Sequence, residues 1–388
     1  MARILVVYKE FPAPSVGHAG GQAVFQLLAC LHRRGHQVYL VARLRRDEAP
    51  LVPEMASFCR QVITVPHHNA MAGLPLLAWI CSYLGLRRAA ARAMREIQPD
   101  VLHVEVTQTA ISLLGLPRPR SSFRPLDVNW YLLEQRAAQQ RGWRRWLERG
   151  ASLLFRRFEP WLCRRYDVIA PISEGDRRLL APGCPKRPLV LLPLELPGAL
   201  AQNVDPAVAG EMNLLFVGAM YRTFNVQAVQ WFLREVWPRV QAQLPAVRFY
   251  IVGHRPAQEI RAWHDGRQVV VTGFVEDVAP WYRAAAVFVS PMLVGGGLLQ
   301  KVVDAMAMGV PVVATAVSNH GLGATPGEHL LVADDAETFA AAVIRLLADP
   351  PERARLAQAG QNFVRERYDL EQAISRWEAA LLAEDGAG

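Results

Sequence analysis

Two separate runs of alternating strand and helix patterns constrain the fold of this chain more than any other feature of its sequence. Short apolar segments alternate with longer segments whose apolar residues recur at helical spacing, first from residue 4 to about residue 106 and again from residue 213 to residue 315. Such alternation is typical of a parallel sheet that is covered by helices on both faces. Because 388 residues exceed what one ordinary core accommodates, we predict two doubly wound α/β domains.

A Pro-rich stretch over residues 182–206 separates the two runs and predicts the domain boundary. We expect a first domain over residues 1–197, a second over residues 206–368, and a last helix within residues 369–388 that crosses back onto the first domain. The predicted strands are residues 4–8, 37–42, 62–65, 101–106, 213–218, 247–253, 269–272, 286–290 and 310–315.

The sequence contains no strong signal for a membrane span, a leader or a metal centre. No segment reaches the roughly 18 uninterrupted apolar residues that a span needs, and the apolar start is too short for a signal peptide. Its five cysteines are scattered and form no CxxC pair, so neither a zinc site nor a disulfide framework is expected. We therefore expect a cytoplasmic protein without a bound metal.

Arginine is concentrated between residues 134 and 167, where it alternates with Trp and Phe in a chain of formal net charge +8. One interpretation is a surface helix whose Arg stems cover apolar side chains while the charged ends stay in water. The other is an amphipathic helix that rests on anionic lipid and attaches the protein peripherally to the inner face of the membrane. No recognised nucleic-acid-binding module accompanies the charge, so nucleic acid is not an expected partner.

The most informative single segment runs from residue 289 to residue 315, where a strand ends and three glycines, Gly295, Gly296 and Gly297, precede a helix. Backbone N–H groups that are exposed at a helix start bind anions. Lys301 and Asp304 lie three residues apart and so share one helical face. Lys301 can neutralise a phosphate while Asp304 accepts hydrogen bonds from ribose hydroxyls. The alternative is a tight turn followed by a surface ion pair.

This segment, with its DAMAMGVPVVAT ending, resembles the signature of the family-four retaining glycosyltransferases of GT-B fold. FVGAMYRTF, RFYIVG and VTGFVEDVAPWYRAAAVFVSP follow the family order in the second half, and HAGG, LHRRGHQV, PDVLHVE and YDVIAPISEGDRRLL agree more weakly in the first. The resemblance implies two Rossmann-like domains that face each other across a cleft. It also implies metal-independent hexosyl transfer, with retention, from a UDP- or GDP-linked sugar to a glycan, lipid-linked or small-molecule acceptor in polysaccharide biosynthesis. No cofactor is implied.

Site residues follow from the resemblance position by position. The implied cations that offset the diphosphate charge are Arg222 and Lys301. The implied donor-binding residues are Gly218, Phe274, Val275, Gly295, Gly296, Gly297 and Asp304. Candidates for an acceptor or phosphate loop in the first domain are Gly20, Gly21, His103 and Asn129. For His103, at the end of a strand, a structural role is the open alternative.

Several positions depart from the family pattern. Gly296 stands where members often carry a Glu, Asn129 replaces the usual His, and residues 193–196 read PLEL where an interdomain PNGVD is usual. Ala219 and Asn225 stand near the places of an Arg and a Lys, which makes Arg222 the expected cation by inference. These departures leave open a catalytically weakened subunit that binds nucleotide-sugar or acts as a scaffold. A nicotinamide dehydrogenase ranks third, because the first loop reads GxxGG rather than GxGxxG.

Overall fold

The computed structural model describes residues 1–13, 19–67, 75–196, 212–295 and 297–382. The chain divides into two compact units, one formed by Met1–Glu195 with Leu370–Gly388 and the other by Leu196–Asp369. The division falls within the Pro-rich stretch. Each unit buries its own apolar clusters on the two faces of its own sheet.

The first unit contains a sheet of six parallel strands in the order β3-β2-β1-β4-β5-β6. The strands are β1 (Arg3–Tyr8), β2 (Gln37–Leu44), β3 (Gln61–Pro66), β4 (Val101–Glu105), β5 (Arg120–Arg124) and β6 (Val168–Ile169). β1 pairs with β2 on one side and with β4 on the other. The strand order therefore reverses between β1 and β4, and ligands of such sheets bind beyond the carboxyl ends of the strands at this switch point.

Helices cover both faces of the first sheet. They are α1 (Ala19–Arg33), α2 (Val52–Ala56), α3 (Pro75–Ile97), α4 (Thr107–Ser112), α5 (Asn129–Gln139), α6 (Trp143–Cys163) and α7 (Glu174–Leu180). The Arg- and Trp-rich segment is not one long helix. It breaks at Gly142, whose φ of 65° is a left-handed conformation that favours glycine.

The second unit repeats the topology, with strand order β12-β11-β10-β7-β8-β9. Its strands are β7 (Asn213–Val217), β8 (Arg248–Val252), β9 (Val269–Gly273), β10 (Val287–Ser290), β11 (Val312–Ala314) and β12 (Leu331–Val332). Its helices are α8 (Thr223–Trp231), α9 (Trp237–Gln243), α10 (Gln258–Arg261), α11 (Ala279–Ala284), α12 (Gln300–Ala307), α13 (Ala316–His320), α14 (Ala336–Ala348) and α15 (Pro350–Arg367). The switch point of this sheet lies between β7 and β10.

The last helix, α16 (Leu370–Leu382), packs on the first unit although it follows the second in the chain. Trp377 is fully buried there, and its Nε1 donates to Ser122 Oγ at 2.7 Å. Glu378 accepts hydrogen bonds from Arg34 Nη2 at 2.7 Å and lies 2.8 Å from His36 Nε2. An apolar anchor and an ion pair therefore hold the helix on this unit.

Candidate functional site

The switch point of the second sheet is lined by backbone because glycine stands where two strand ends approach. A Cβ atom on Gly253 would lie 1.7 Å from the carbonyl oxygen of Gly218, so no side chain fits at that position. A Cβ on Gly218 would lie 2.9 Å from Asn225 Nδ2. These glycines let the loop after β7 turn tightly and bring the start of α8 against the strand end.

Lys301, in the first turn of α12, reaches across this switch point to residues of β7 and α8. Its Nζ donates to Asn225 Oδ1 at 2.7 Å and lies 4.2 Å from the centre of the Phe216 ring. Its third neighbour is Met292 Sδ, at 3.5 Å. Among the ion pairs of the described residues, none includes Lys301.

The electrostatic state of Lys301 follows from its burial and from a second cation, Arg222. Burial, together with the positive charge of Arg222, lowers the pKa of its ammonium to about 7. Arg222 itself is exposed at the position before α8 and lies over the ring of Phe224. Two cations are thus close enough to repel each other, an arrangement that an incoming anion stabilises.

Asp304 lies one turn after Lys301 on α12, and Gln300 Nε2 donates to its Oδ1 at 2.8 Å. Burial raises the pKa of Asp304 to about 7. The alternative of an ion pair between Lys301 and Asp304 is not observed, because the ammonium is directed to Asn225 instead. Asp304 therefore keeps capacity to accept further hydrogen bonds.

The glycine loop before α12 packs against α13. A Cβ on Gly321 would lie 2.4 Å from the carbonyl oxygen of Gly297, and a Cβ on Gly295 would meet Val317. No side chain caps the start of α12, whose flanking residue is Leu299. The loop thus leaves the helix start open, as anion binding requires. Gly296 lies outside the described residues.

Phe274 and Val275 follow β9, two strands away from β7. Phe274 is 69% exposed and its ring contacts His254 edge-on, with centroids 5.6 Å apart. Val275 is partly buried against the apolar cluster of α12. Both residues lie at the carboxyl edge of the sheet, on the side of the switch point where β8 and β9 add to β7.

The prediction that His103 contacts an acceptor is wrong, because His103 is fully buried in the first sheet. Its Nδ1 lies 3.1 Å from Ser122 Oγ and its Nε2 lies 2.9 Å from Glu105 Oε1. Burial lowers the pKa of His103, although the Glu105 carboxylate opposes this shift. Arg124 completes the group through Nη2, 2.8 Å from Glu105 Oε1. His103 therefore has the structural role that was the alternative.

Asn129 begins α5 and has a buried partner that sequence reasoning missed. Its Nδ2 donates to Glu159 Oε1 at 2.5 Å and to Thr107 Oγ1 at 3.0 Å. The Glu159 carboxylate also accepts the backbone N–H groups of Asn129 and Trp130 and so caps α5 from α6. No local pattern identifies Glu159, because it lies 30 residues away in the chain.

Two further features lie at the carboxyl edge of the first sheet. Gly20 and Gly21 fall in the first turn of α1. Val106, directly after β4, has a φ of 64°. A β-branched side chain rarely adopts this conformation, which costs about 1–3 kcal/mol. Such strain often marks a ligand-binding edge, and here it lies at the switch point.

Neither a metal centre nor a membrane span is found in the described part of the chain. No group of three or more His, Cys, Asp or Glu side chains there is arranged to hold a metal ion. None of the helices described is long and apolar enough to cross a membrane.

Comparison with known families identifies the chain. The family model for group 1 glycosyl transferases matches residues 211–349, and the model for glycosyltransferase family 4 matches residues 20–194. Together the two models cover most of the chain. It belongs to the family 4, group 1 glycosyltransferases. Each half of this glycosyltransferase therefore contains one of the two switch points.

Two curated relatives of this glycosyltransferase match over nearly their whole length. One is an uncharacterized 44.6 kDa protein in the cps region of Klebsiella pneumoniae, 24% identical, with 97% of this chain and 98% of the relative covered. The other is the phosphatidyl-myo-inositol mannosyltransferase of Mycobacterium leprae, 26% identical, with 89% of this chain and 88% of the relative covered.

Solved structures establish the fold of the glycosyltransferase. Sucrose-phosphate synthase of Thermosynechococcus elongatus superposes with a TM-score of 0.74 at 19% identity, with 99% of this chain and 100% of that chain covered. Anabaena HepE in complex with UDP-glucose gives a TM-score of 0.66 at 14% identity, with the same coverage. The predicted GT-B fold of two Rossmann-like units is confirmed.

Proposed function

We propose that this glycosyltransferase moves a sugar from a nucleotide diphosphate sugar, held by the second unit, to a glycan or lipid-linked acceptor. The single observation that carries the proposal is the pair of uncompensated cations, Lys301 and Arg222, at the second switch point. A fold neighbour, HepE, binds UDP and UDP-glucose, which supports a nucleotide-sugar as donor. UDP and GDP are the two carriers that we propose.

The arrangement suits a reaction in which negative charge develops on a departing diphosphate. The bond between the anomeric carbon and the diphosphate oxygen breaks, and the acceptor oxygen bonds to the same carbon on the same face of the sugar. The proton of the acceptor hydroxyl passes to the departing diphosphate. Lys301 and the open start of α12 are in place before the reaction, and together with Arg222 they offset the leaving-group charge. We propose that this charge offset suffices without a metal ion or a cofactor.

The remaining donor contacts are proposed from their positions. Asp304 accepts hydrogen bonds from the ribose hydroxyls, and Gly218 with the loop of Gly295 and Gly297 allows close approach of the backbone to the diphosphate. Phe274 and Val275 line the base. In the first unit, the acceptor lies at the carboxyl edge, near Gly20, Gly21 and the Asn129 side chain that Glu159 holds.

The experiment is a donor panel. Purified protein is offered UDP- and GDP-linked hexoses with and without excess EDTA, and the released nucleotide and the anomeric configuration of the product are measured. We expect turnover that EDTA leaves unchanged and a retained anomeric configuration. Activity that chelation abolishes and magnesium restores would contradict metal independence. Nucleotide binding without turnover on any acceptor would favour the scaffolding subunit.

We also propose that α6 brings the enzyme to an anionic membrane surface. Its inward side combines polar Ser152 and Glu159, which bond to α5, with apolar side chains that pack on the core, namely Phe155, Phe158, Leu162 and Cys163. Its outward residues Trp143, Trp146, Leu147, Leu153 and Leu154 are 64–71% exposed. If the Arg stems only covered apolar surface, these large side chains would lie inward. An outward apolar side flanked by Arg suits insertion at a lipid interface. The mannosyltransferase relative, whose name specifies a phospholipid acceptor, supports the same proposal.

Vesicle sedimentation tests this surface. The parent should sediment with vesicles that contain anionic lipid and lose binding as salt rises, because the Arg charges are exposed. A variant with Trp146→Ser and Leu154→Ser should bind more weakly at equal charge, whereas Leu84→Ser, at an exposed position on α3, serves as control. Equal sedimentation of parent and variant would exclude the apolar side of α6 as the contact.

A further inference from the structure

We propose that Asn225 is a positioning residue that holds the ammonium of Lys301 in place for the donor diphosphate. The inference rests on the proposed function, since it assigns a role within the same donor site. It adds a residue whose type, a neutral amide, does not by itself suggest anion binding.

The amide of Asn225 is fixed at both ends. Its Nδ2 donates to the carbonyl oxygen of Ala219 at 3.0 Å, and its Oδ1 accepts from Lys301 Nζ at 2.7 Å. Because the carbonyl can only accept and the ammonium can only donate, the two partners determine which way the amide points. Asn225 is buried, and the absent side chain of Gly218 leaves room for its Nδ2.

The other contacts of Lys301 leave its positive charge unbalanced. The Phe216 ring face attracts a cation but carries no net charge, and the thioether of Met292 is a weak acceptor. Met292 is itself held through its carbonyl oxygen, which accepts from Thr315 Oγ1 at 2.6 Å. The carbonyl of Lys301 accepts from Tyr282 Oη at 3.2 Å. Backbone and ammonium are therefore both fixed.

A neutral partner at position 225 has a specific consequence. A carboxylate there would fix the ammonium equally well, but it would neutralise the charge and repel a diphosphate. An amide fixes the ammonium and leaves its charge available to the ligand. The position of the Lys301 ammonium and the availability of its charge can therefore be changed separately by different substitutions at residue 225.

The test measures binding of UDP and GDP to the full chain by titration calorimetry, alongside melting temperature. Asn225→Asp should lower nucleotide affinity by about tenfold or more, the size of one charge-assisted contact, without lowering the melting temperature, because the new carboxylate pairs with Lys301. Asn225→Ala should lower affinity to a similar extent. Asn362→Asp, the same charge change at an exposed position on α15, should bind as the parent does.

A reciprocal exchange tests position directly. Lys301→Asn alone should lose most affinity, and the double variant Asn225→Lys with Lys301→Asn should regain a substantial part, because the ammonium returns to the same place from α8. Asn225 variants that bind as the parent does, while Lys301→Asn loses affinity, would overturn the positioning role alone. A parent that binds neither UDP nor GDP, or a Lys301→Asn variant that binds normally, would overturn the proposed donor site and the role of Asn225 with it.

Discussion

The two sheets share one strand order, but the charged residues near their switch points are satisfied in opposite ways. In the first sheet, His103, Glu105 and Arg124 are fully buried, and the Glu105 carboxylate pairs with both other side chains, although Arg124 Nη1 has no hydrogen-bond partner among the described residues. In the second, Lys301 contacts an amide, a ring and a thioether, with Arg222 as a second cation. Charge that is balanced within the protein serves folding, whereas charge that is left unbalanced at a strand end is available to a ligand.

The largest expected effect is a loss of stability caused by a substitution in the first sheet. Glu105→Gln keeps the shape of the side chain but leaves the Arg124 guanidinium buried without a counter-charge. Breaking a buried pair in this way should lower the free energy of unfolding by about 3–5 kcal/mol. Chemical denaturation measures this free energy of unfolding. The control variant Glu54→Gln, at an exposed position on α2, should change the free energy of unfolding by less than about 0.5 kcal/mol.

The same variant should keep the ligand affinity of the parent. Below its melting temperature, folded Glu105→Gln should bind nucleotide as the parent does, because the buried group does not contact ligand. A variant of parental stability, or one that is stable but has lost nucleotide binding, would contradict the structural role of the group.

In the second sheet, we expect a substitution to reduce activity and to leave stability nearly unchanged. Lys301→Ala should reduce kcat/KM by about 10²–10³, the usual cost of removing one preorganised group that stabilises a leaving-group charge. The melting temperature should change little or rise, since burying an ammonium without a carboxylate does not favour folding. Steady-state kinetics and thermal melting measure both. Lys186→Ala, at an exposed lysine of the first unit, is the charge-matched control. A large loss of stability with parental kcat/KM in the folded fraction would place Lys301 among the structural charges.

The smallest expected effect is the pH dependence of the second site. The pKa of Asp304 is raised to about 7 and that of Lys301 is lowered to about 7. As pH falls below 7, Asp304 gains a proton and loses acceptor capacity; as pH rises above 7, Lys301 loses its charge. We expect kcat/KM for the donor to peak near pH 7 and to fall by at most about tenfold per pH unit on either side.

Asp304→Asn separates the two limbs of this profile. It should remove the fall below pH 7 and leave the fall above it, because Asn does not titrate while Lys301 still does. A variant profile that keeps its acid limb would show that another group causes it.

The sequence predicts most of the fold because the strands of a covered parallel sheet are continuous apolar runs. Every predicted strand is present in the structure. β5 was missed because its sequence, RSSFR, is polar although it lies within the sheet. Arg124 pairs with Glu105, and Ser122 bonds to His103 and Trp377, so partners distant in the chain compensate for the burial of polar groups. No local pattern contains that information.

The location of the candidate site could be predicted from the sequence, but the side-chain contacts within the site could not. Glycines before a helix, with Lys301 in its first turn, indicate an anion site on local physics alone. The ammonium of Lys301 contacts Asn225, which lies 76 residues away in the chain, rather than Asp304 on its own helical face. That contact depends on the parallel pairing of β7 and β10, which brings the two loops together.

The most direct test is a crystal structure of the protein with whichever of UDP, GDP or ADP binds most tightly in a titration panel. We expect the diphosphate to lie on the second unit, with its oxygens within about 3.2 Å of Lys301 Nζ and close to the start of α12. A diphosphate that lies wholly on the first sheet, with Lys301 still bound only by Asn225, would contradict the central claim that the unbalanced charges mark the donor site.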